Sequence, residues 1–355
     1  MEGPNLKVIR STNYNFNFDK TNGNCERWGK TLEEDPQFSP YGPEIADVEI
    51  GTICHGIDNV PCSWCYKSNN PVVGSYMSAA KFIEVLSCMP RTVTQIAFGL
   101  GDIDSNPDLA KIFKACHCRG IIPNITINGD RLTDYYLRLL QDNCGAVAVS
   151  RYPNNKDLCY NAVEKLSEKL DQVNIHCLLS KDTMDVCHDV AVDQLTEPRL
   201  AKMRAIVYLA LKPKGLRNKL TGLTYQEYAC FLDWLLLNQV RFGFDSCSAN
   251  AFLKAVKPYK NAEKLTEMAE PCESTCFSIY VDVHGDVYPC SFCAGEMAGK
   301  PIKKGFWNDP YLKAFREMLI KNERSCPMFD VLPDKSEELD RIGKLKKFID
   351  EFPQY

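Results

Sequence analysis

Between residue 45 and about 245 the chain alternates strand-like and helix-like runs, and this alternation limits the fold more than any other feature. Apolar, β-branched stretches lie at Ile45–Ile53, Val93–Phe98, Ile122–Ile127, Ala146–Ser150, Val173–Leu179 and Met203–Leu211. A helical pattern follows each one. Ser78 stands where a side chain caps a helix running to Met89, and Asn106-Pro107 opens another toward Arg119, with proline in the first turn. Further helices are expected over about 131–142, 157–170, 183–195 and 224–239, and Val240–Phe244 offers a seventh strand. Adjacent parallel strands need a crossover between them, so βα units in tandem predict a parallel sheet with right-handed connections. Six in one run predict an α/β fold of the partial (β/α)6 barrel type, with a doubly wound open sheet as the alternative. In both, ligands gather at the C-terminal ends of the strands.

The first strand leads into Cys54-His-Gly-Ile-Asp-Asn-Val-Pro-Cys62-Ser-Trp-Cys65-Tyr66, three cysteines spaced C-x7-C-x2-C. A [4Fe–4S] cube takes four thiolates when the protein ligates it fully, so three leave one iron open. A zinc knuckle with His55 as the fourth ligand is the alternative. The chain has 18 cysteines in 355 residues. It shows no secretory signal and no membrane span, which predicts a cytoplasmic protein whose thiols stay reduced. Scattered cysteines such as Cys88, Cys144, Cys159, Cys177 and Cys230 sit in apolar patterns and read as small buried hydrophobes. A net charge of −4 gives no broad basic face for an extended nucleic acid.

Outside the alternating region the patterning changes twice. In residues 1–44, Tyr14, Phe16 and Phe18 alternate with asparagines and run into Thr21-Asn-Gly-Asn24, which reads as a β-hairpin capping the main domain. Residues 246–355 carry cysteines at 272, 276, 290, 293 and 326, preceded by Cys247. Between them Phe277–Pro289 reads as a hairpin with His284-Gly285-Asp286 at its turn, and 309–321 and 336–351 read as amphipathic helices. The expected domains are therefore 1–44, 45–245 and 246–355.

Cys62-x2-Cys65 followed by an aromatic, with a third cysteine upstream, resembles the radical S-adenosylmethionine (SAM) superfamily. Gly99-Leu100-Gly101-Asp102 looks like that family's Gly-Gly-Glu segment, which binds the SAM amino group, with Asp102 standing for the usual Glu. Asn128, in Thr126-Ile127-Asn128-Gly129, sits where many members carry Thr-Asn-Gly. Ser150 and Arg151 end the fourth strand, where the family contacts the SAM ribose or carboxylate, and His176 lies on the fifth. The first gap of seven departs from the usual three. The tail, Cys272-x3-Cys276-x13-Cys290-x2-Cys293, resembles the auxiliary-cluster domains called SPASM and twitch. Six candidate thiolates suffice for one fully ligated cluster, and Cys247, Cys272, Cys276 and Cys290 are the favoured ligands, with Cys293 and Cys326 as rivals. A structural zinc at this hairpin is the alternative.

The resemblance implies that SAM chelates an iron held by Cys54, Cys62 and Cys65. An electron from a donor such as flavodoxin or ferredoxin then cleaves it to a 5′-deoxyadenosyl radical that takes hydrogen from a substrate. Gly99, Gly101 and Asp102 would meet the methionine amine, and Ser150 and Arg151 the carboxylate or ribose. One auxiliary [4Fe–4S] cluster would accept the leftover electron or bind substrate. The expected substrate is a peptide or protein side chain. A small molecule or nucleoside is the first alternative, and a non-catalytic iron–sulfur or zinc scaffold the second. Lys212, at the end of the sixth strand, reads equally as a partner for an anionic substrate and as part of a solvated loop.

Overall fold

The computed structural model describes residues 5–334, and the helix expected over 336–351 lies outside them. Three short strands open the chain: β1 (Leu6–Ile9), β2 (Asn15–Asp19) and β3 (Cys25–Trp28). They pair antiparallel in the order β1-β2-β3, so the expected hairpin gains a third strand. Tyr14, Phe16 and Phe18 are each 1% exposed, which explains the alternation with asparagine.

The alternating region forms β4 (Ile45–Glu49), β5 (Gln95–Gly99), β6 (Ile122–Ile127), β7 (Ala146–Arg151), β8 (Val173–Leu179), β9 (Ala205–Ala210) and β10 (Phe242–Phe244). Between them run α1 (Ala79–Cys88), α2 (Leu109–Cys118), α3 (Asp134–Asn143), α4 (Lys156–Leu166), α5 (Met184–Thr196) and α6 (Tyr225–Leu237). The Ser78 side chain accepts from the backbone N–H of Lys81, as an N-cap should, and Thr224 forms a capping box with Glu227 on α6. After β10 come α7 (Ala249–Val256), α8 (Ala262–Thr266), β11 (Ser278–Val281), β12 (Asp286–Tyr288), β13 (Lys300–Pro301) and α9 (Pro310–Lys321).

The chain divides into two compact units, and β7 begins in one and ends in the other. The first comprises residues up to Pro61, Asn69–Val147 and Glu273–Lys321. Its strands stand in the order β13-β12-β11-β4-β5-β6, with β4–β5 and β5–β6 parallel. Alternation sorts the residues between two faces. Ala46, Val48, Ile96 and Phe98 are buried, and the ring of Phe98 lies 5.5 Å from Phe82 of α1 and 5.7 Å from Phe113 of α2. Asp47 and Ala97, in register with each other, occupy the opposite face.

The tail hairpin is part of this unit's sheet. β11 pairs parallel with β4, placing Tyr280 beside Asp47, and turns back into β12 through Gly285, whose φ is +88°. The expected hairpin is present, and the sheet it joins is that of β4.

Among the described residues the second unit comprises Cys62–Ser68, Ala148–Cys272 and 322–334. Its strands follow one another as β7-β8-β9-β10, with β8–β9 and β9–β10 parallel. Tyr208 of β9 packs edge-on against Phe231 of α6, centroids 5.0 Å apart. Among the described residues the order of the parallel strands reverses in neither unit, so they show no switch point of the doubly wound kind. The barrel-type order is the one observed. Among the described residues no helix is long and apolar enough to cross a membrane.

Candidate functional site

In the first unit the chain leaves β4 and runs beside the segment that leaves β5. Ile50 N–H donates to Gly99 O at 2.8 Å, Gly101 N–H to Gly51 O at 3.1 Å and Asp102 N–H to Ile53 O at 3.0 Å. Cys54 N–H donates to Asn70 O at 3.2 Å. The contact explains Gly101: a Cβ there would stand 1.9 Å from Ile53 O and 2.7 Å from the Cβ of Cys54. Gly99 is exposed and meets no such limit, its nearest neighbour being Glu49 Cα at 3.8 Å.

Asp102 is 1% exposed and holds the residue after Cys54. Its oxygens accept from the backbone N–H of His55 at 3.0 and 3.2 Å and lie 2.5 Å from His55 Nδ1. Arg131 Nε is 3.9 Å away, and its guanidinium also reaches Asp104 and Asn59. Beyond His55 the loop folds back through a bridge between Ile57 and Val60, with Asp58 and Asn59 at φ +53° and +62°. The seven-residue gap is thus a tight turn stapled by one carboxylate. Asn128, 8% exposed, closes its own turn by accepting from Asp130 N–H at 2.9 Å.

In the second unit, Cys62 and Cys65 are half-buried. Cys65 N–H donates to Cys62 O at 3.4 Å and Ser68 N–H to Cys65 O at 3.0 Å. A strap from β9 crosses them. Arg217 donates to Cys62 O at 3.4 Å and to Ser68 O at 3.3 Å, and Leu216 N–H donates to Ser68 Oγ at 2.8 Å. Gly215 (φ +107°) passes so close that a Cβ would stand 2.3 Å from Cys65 O. Burial pushes the Cys62 thiol up to about 11, Cys65 adds to the rise and Arg217 opposes it. The rings of Trp64 and Tyr152 are 5.3 Å apart.

Ser150, half-buried at the end of β7, gives its carbonyl to Asn155 at 2.9 Å. Arg151 is 4% exposed, and its buried Nε has no hydrogen-bond partner among the described residues. His176 on β8 is half-buried, and its surroundings push its pKa down to about 4, with Asp245 opposing. It is therefore neutral at pH 7. Lys212 is 5% exposed and joins Asp245 and Cys247 in one internal network. Burial works to lower its pKa, but these partners hold the ammonium above its usual range. Asp245 accepts from Ser248 Oγ at 2.6 Å. A solvated loop lysine is thereby excluded.

The tail cysteines also fall in both units. In the first, Cys290 and Cys293 stand with sulfurs 3.5 Å apart, and Cys276 and Cys293 are fully buried. In the second, Cys272 O accepts from Arg324 Nε at 2.9 Å, and Cys247 faces Lys212. The scattered Cys144, Cys159, Cys177 and Cys230 are buried as expected, while Cys88 is half-buried. Burial pushes the Cys159 thiol up to about 12.

Two further polar residues carry weak marks in the sequence. Arg217 carries no signal beyond its place after Lys212-Pro-Lys-Gly215. Asp47 has one: a carboxylate inside an otherwise apolar strand. It is half-buried, and burial raises its pKa to about 6.

All 18 cysteines are outside disulfides, and among the described residues no three His, Cys, Asp or Glu side chains form a group that could hold a metal ion. The donor chemistry nonetheless suits an iron–sulfur group. Cys54, Cys62 and Cys65 are thiols on backbone that hydrogen bonds fix, within twelve residues of sequence. Arg151 Nε is a buried donor suited to a carboxylate.

No family model matches the sequence, and neither does any curated protein. Solved structures do match. The structure of Streptococcus suis SuiB bound to precursor peptide SuiA superposes with a TM-score of 0.66 at 13% identity, over 89% of this chain and 90% of that one. SuiB bound to S-adenosylmethionine gives 0.59 at 14%, over 78% and 68%. Native anSMEcpe with bound AdoMet and the Cp18Cys peptide gives 0.57 at 14%, over 87% and 96%. Sheet and connections define an α/β protein built on a large, mostly parallel sheet. Its fold is the one seen in the SuiB and anSMEcpe structures.

Proposed function

We propose that this chain is a radical SAM enzyme that takes a hydrogen atom from a peptide or protein side chain. One observation carries the reading: a loop with three cysteines follows the first strand of a parallel array whose fold recurs in structures bound to S-adenosylmethionine. When bound, a [4Fe–4S] cluster and S-adenosylmethionine supply a 5′-deoxyadenosyl radical; the chain supplies the rest.

Cys54, Cys62 and Cys65 hold the cluster, on backbone fixed by Asn70, Gly101 and Arg217. The exposed backbone at Gly99 receives the methionine amine, and Gly101 lets the two segments close up. Asp102 acts through His55, which it orients. Arg151, with its unpartnered Nε, takes the cofactor carboxylate, with Ser150 and Asn128 beside the ribose. Neutral His176 offers a lone pair and a proton without a charge. Asp47 can accept or return a proton near neutral pH. In the tail, Cys247, Cys272, Cys276 and Cys290 hold one auxiliary [4Fe–4S] cluster, and the 3.5 Å contact with Cys290 makes Cys293 a strong rival for one of those places. A flavodoxin or ferredoxin supplies the electron. The peptides in the SuiB and anSMEcpe structures support the substrate class.

Anaerobic reconstitution tests the proposal. The wild type should take up iron and sulfide, and with dithionite and S-adenosylmethionine it should release 5′-deoxyadenosine. Replacing Cys54, Cys62 and Cys65 by alanine should abolish that release. Stoichiometric zinc with no iron uptake would overturn it.

A further inference from the structure

Within the first unit, β12, β13 and the start of α9 border a cavity of about 440 Å³, inside the range of ligand pockets, about 300–1,000 Å³. Val287, Phe306 and Leu312 give it an apolar lining. Lys300 and Lys303 line it as well, and both are exposed. Residues 298–305 include a third lysine, Lys304, and no carboxylate. The chain as a whole carries a net charge of −4, so this is a local excess of positive charge on an acidic protein. Asp309 is the acid in the lining, and it is already engaged. Its Oδ1 accepts from Lys300 Nζ at 2.8 Å and from Tyr311 N–H at 3.0 Å. The hydrogen bond from Lys300 holds the Asp309 carboxyl below the usual carboxylate range, and the charge of Lys303 adds to this. Lys300 also lies 5.3 Å from the centroid of the Tyr311 ring, so it is held in place. The Lys303 ammonium makes no hydrogen bond or ion pair among the described residues.

β13 is the last strand in the sheet order, and an edge strand can bind a peptide through its backbone. This one is two residues long, and one of them is Pro301, which has no N–H to offer. Recognition therefore falls to side chains. An apolar cavity alone would take any hydrophobic segment. Lysines at its lining disfavour a basic one and favour an acidic one. We propose that this cavity docks an acidic segment of the peptide substrate, an apolar side chain entering it while flanking Asp or Glu carboxylates meet Lys303 and Lys300. This rests on the function proposed above, and it adds an anchoring site to the one where hydrogen is taken.

Fluorescence anisotropy on the full-length protein, before and after cluster reconstitution, tests this with three labelled peptides. Their sequences are Asp-Glu-Phe-Leu-Glu-Asp, Lys-Lys-Phe-Leu-Lys-Lys and Asp-Glu-Gly-Gly-Glu-Asp. The first should bind about tenfold more tightly than either of the others, and its affinity should fall as salt rises. Lys300→Glu combined with Lys303→Glu should weaken it about tenfold and turn the charge preference toward the lysine peptide. Thermal unfolding of that variant should match the wild type, since both side chains are exposed. If the variant folds poorly, the ranking of the three peptides on the wild type still decides. No binding of the first peptide at about 1 mM overturns the inference, as does equal binding of all three or unchanged affinity in a folded variant. Binding to phosphatidylserine vesicles in place of the peptide overturns it too. Failure of the parent reading looks different: the acidic peptide binds as expected, but the protein takes up no iron or releases no 5′-deoxyadenosine.

Discussion

Two ionisable residues impose opposite pH dependences on stability. Asp47 has its pKa raised from 3.8 to about 6 by burial, so the folded state binds its proton more tightly than the unfolded chain. The stability this gives is complete below 3.8 and lost as pH rises through 6. His188 is lowered from 6.5 to about 4 by burial, with its ring 4.4 Å from that of Trp234. Its unfolded state takes the proton first, so stability is lost as pH falls from 6.5 toward 4. Each slope is at most about 1.4 kcal/mol per pH unit. Asp47→Asn should remove the loss on the alkaline side, and His188→Phe the loss on the acid side, in denaturant titrations at pH 4, 5, 6 and 7. Unchanged pH profiles in both variants would contradict these assignments. Glycines separate as sharply. Gly101→Ala, with its Cβ 1.9 Å from a carbonyl oxygen, should cost about 1–3 kcal/mol, while Gly99→Ala should be near neutral by thermal unfolding. The sequence marked both as one motif, because spacing shows glycine and not the distance that requires it. In the same way Asp102 was legible as a polar residue at a strand end, but its bond to His55 depends on how a seven-residue gap folds.

At the level of elements, local chemistry revealed most of what folded. β6 and β8 keep the limits expected from their apolar runs, and α1 and α6 start at the capping residues Ser78 and Thr224. What the sequence could not show was long-range pairing. β11 joins β4 across more than two hundred residues, and neither strand carries a mark naming its partner. Ile279 and Val281 are 1% and 0% exposed, so this edge is core. A chain cut after residue 245 would expose the edge of β4 and the apolar surface that β11 covers. It should fail to give a cooperative thermal transition, and Ile279→Ala alone should cost about 2–5 kcal/mol. A truncated chain that melts like the full-length protein would show that the hairpin is an accessory.

For the whole molecule, the proposed cofactor has a consequence that needs no knowledge of the substrate. A ligand that binds only the folded state stabilises it by RT ln(1 + [L]/Kd), about 2.7 kcal/mol at a hundred times Kd. Under the proposed function, binding requires an iron that Cys54, Cys62 and Cys65 would hold, so S-adenosylmethionine should raise the melting temperature only after cluster reconstitution. With a chain of 355 residues the rise should be a few degrees, because the unfolding entropy grows with size. The variant lacking Cys54, Cys62 and Cys65 should show no rise at any cofactor concentration. Its own folding should be close to normal, since all three side chains are only half-buried and none is in a disulfide. Losing the ligand effect while keeping the fold would separate cofactor binding from structure. A rise of equal size in the iron-free protein would place the cofactor elsewhere, held by protein groups such as Arg151 without the metal.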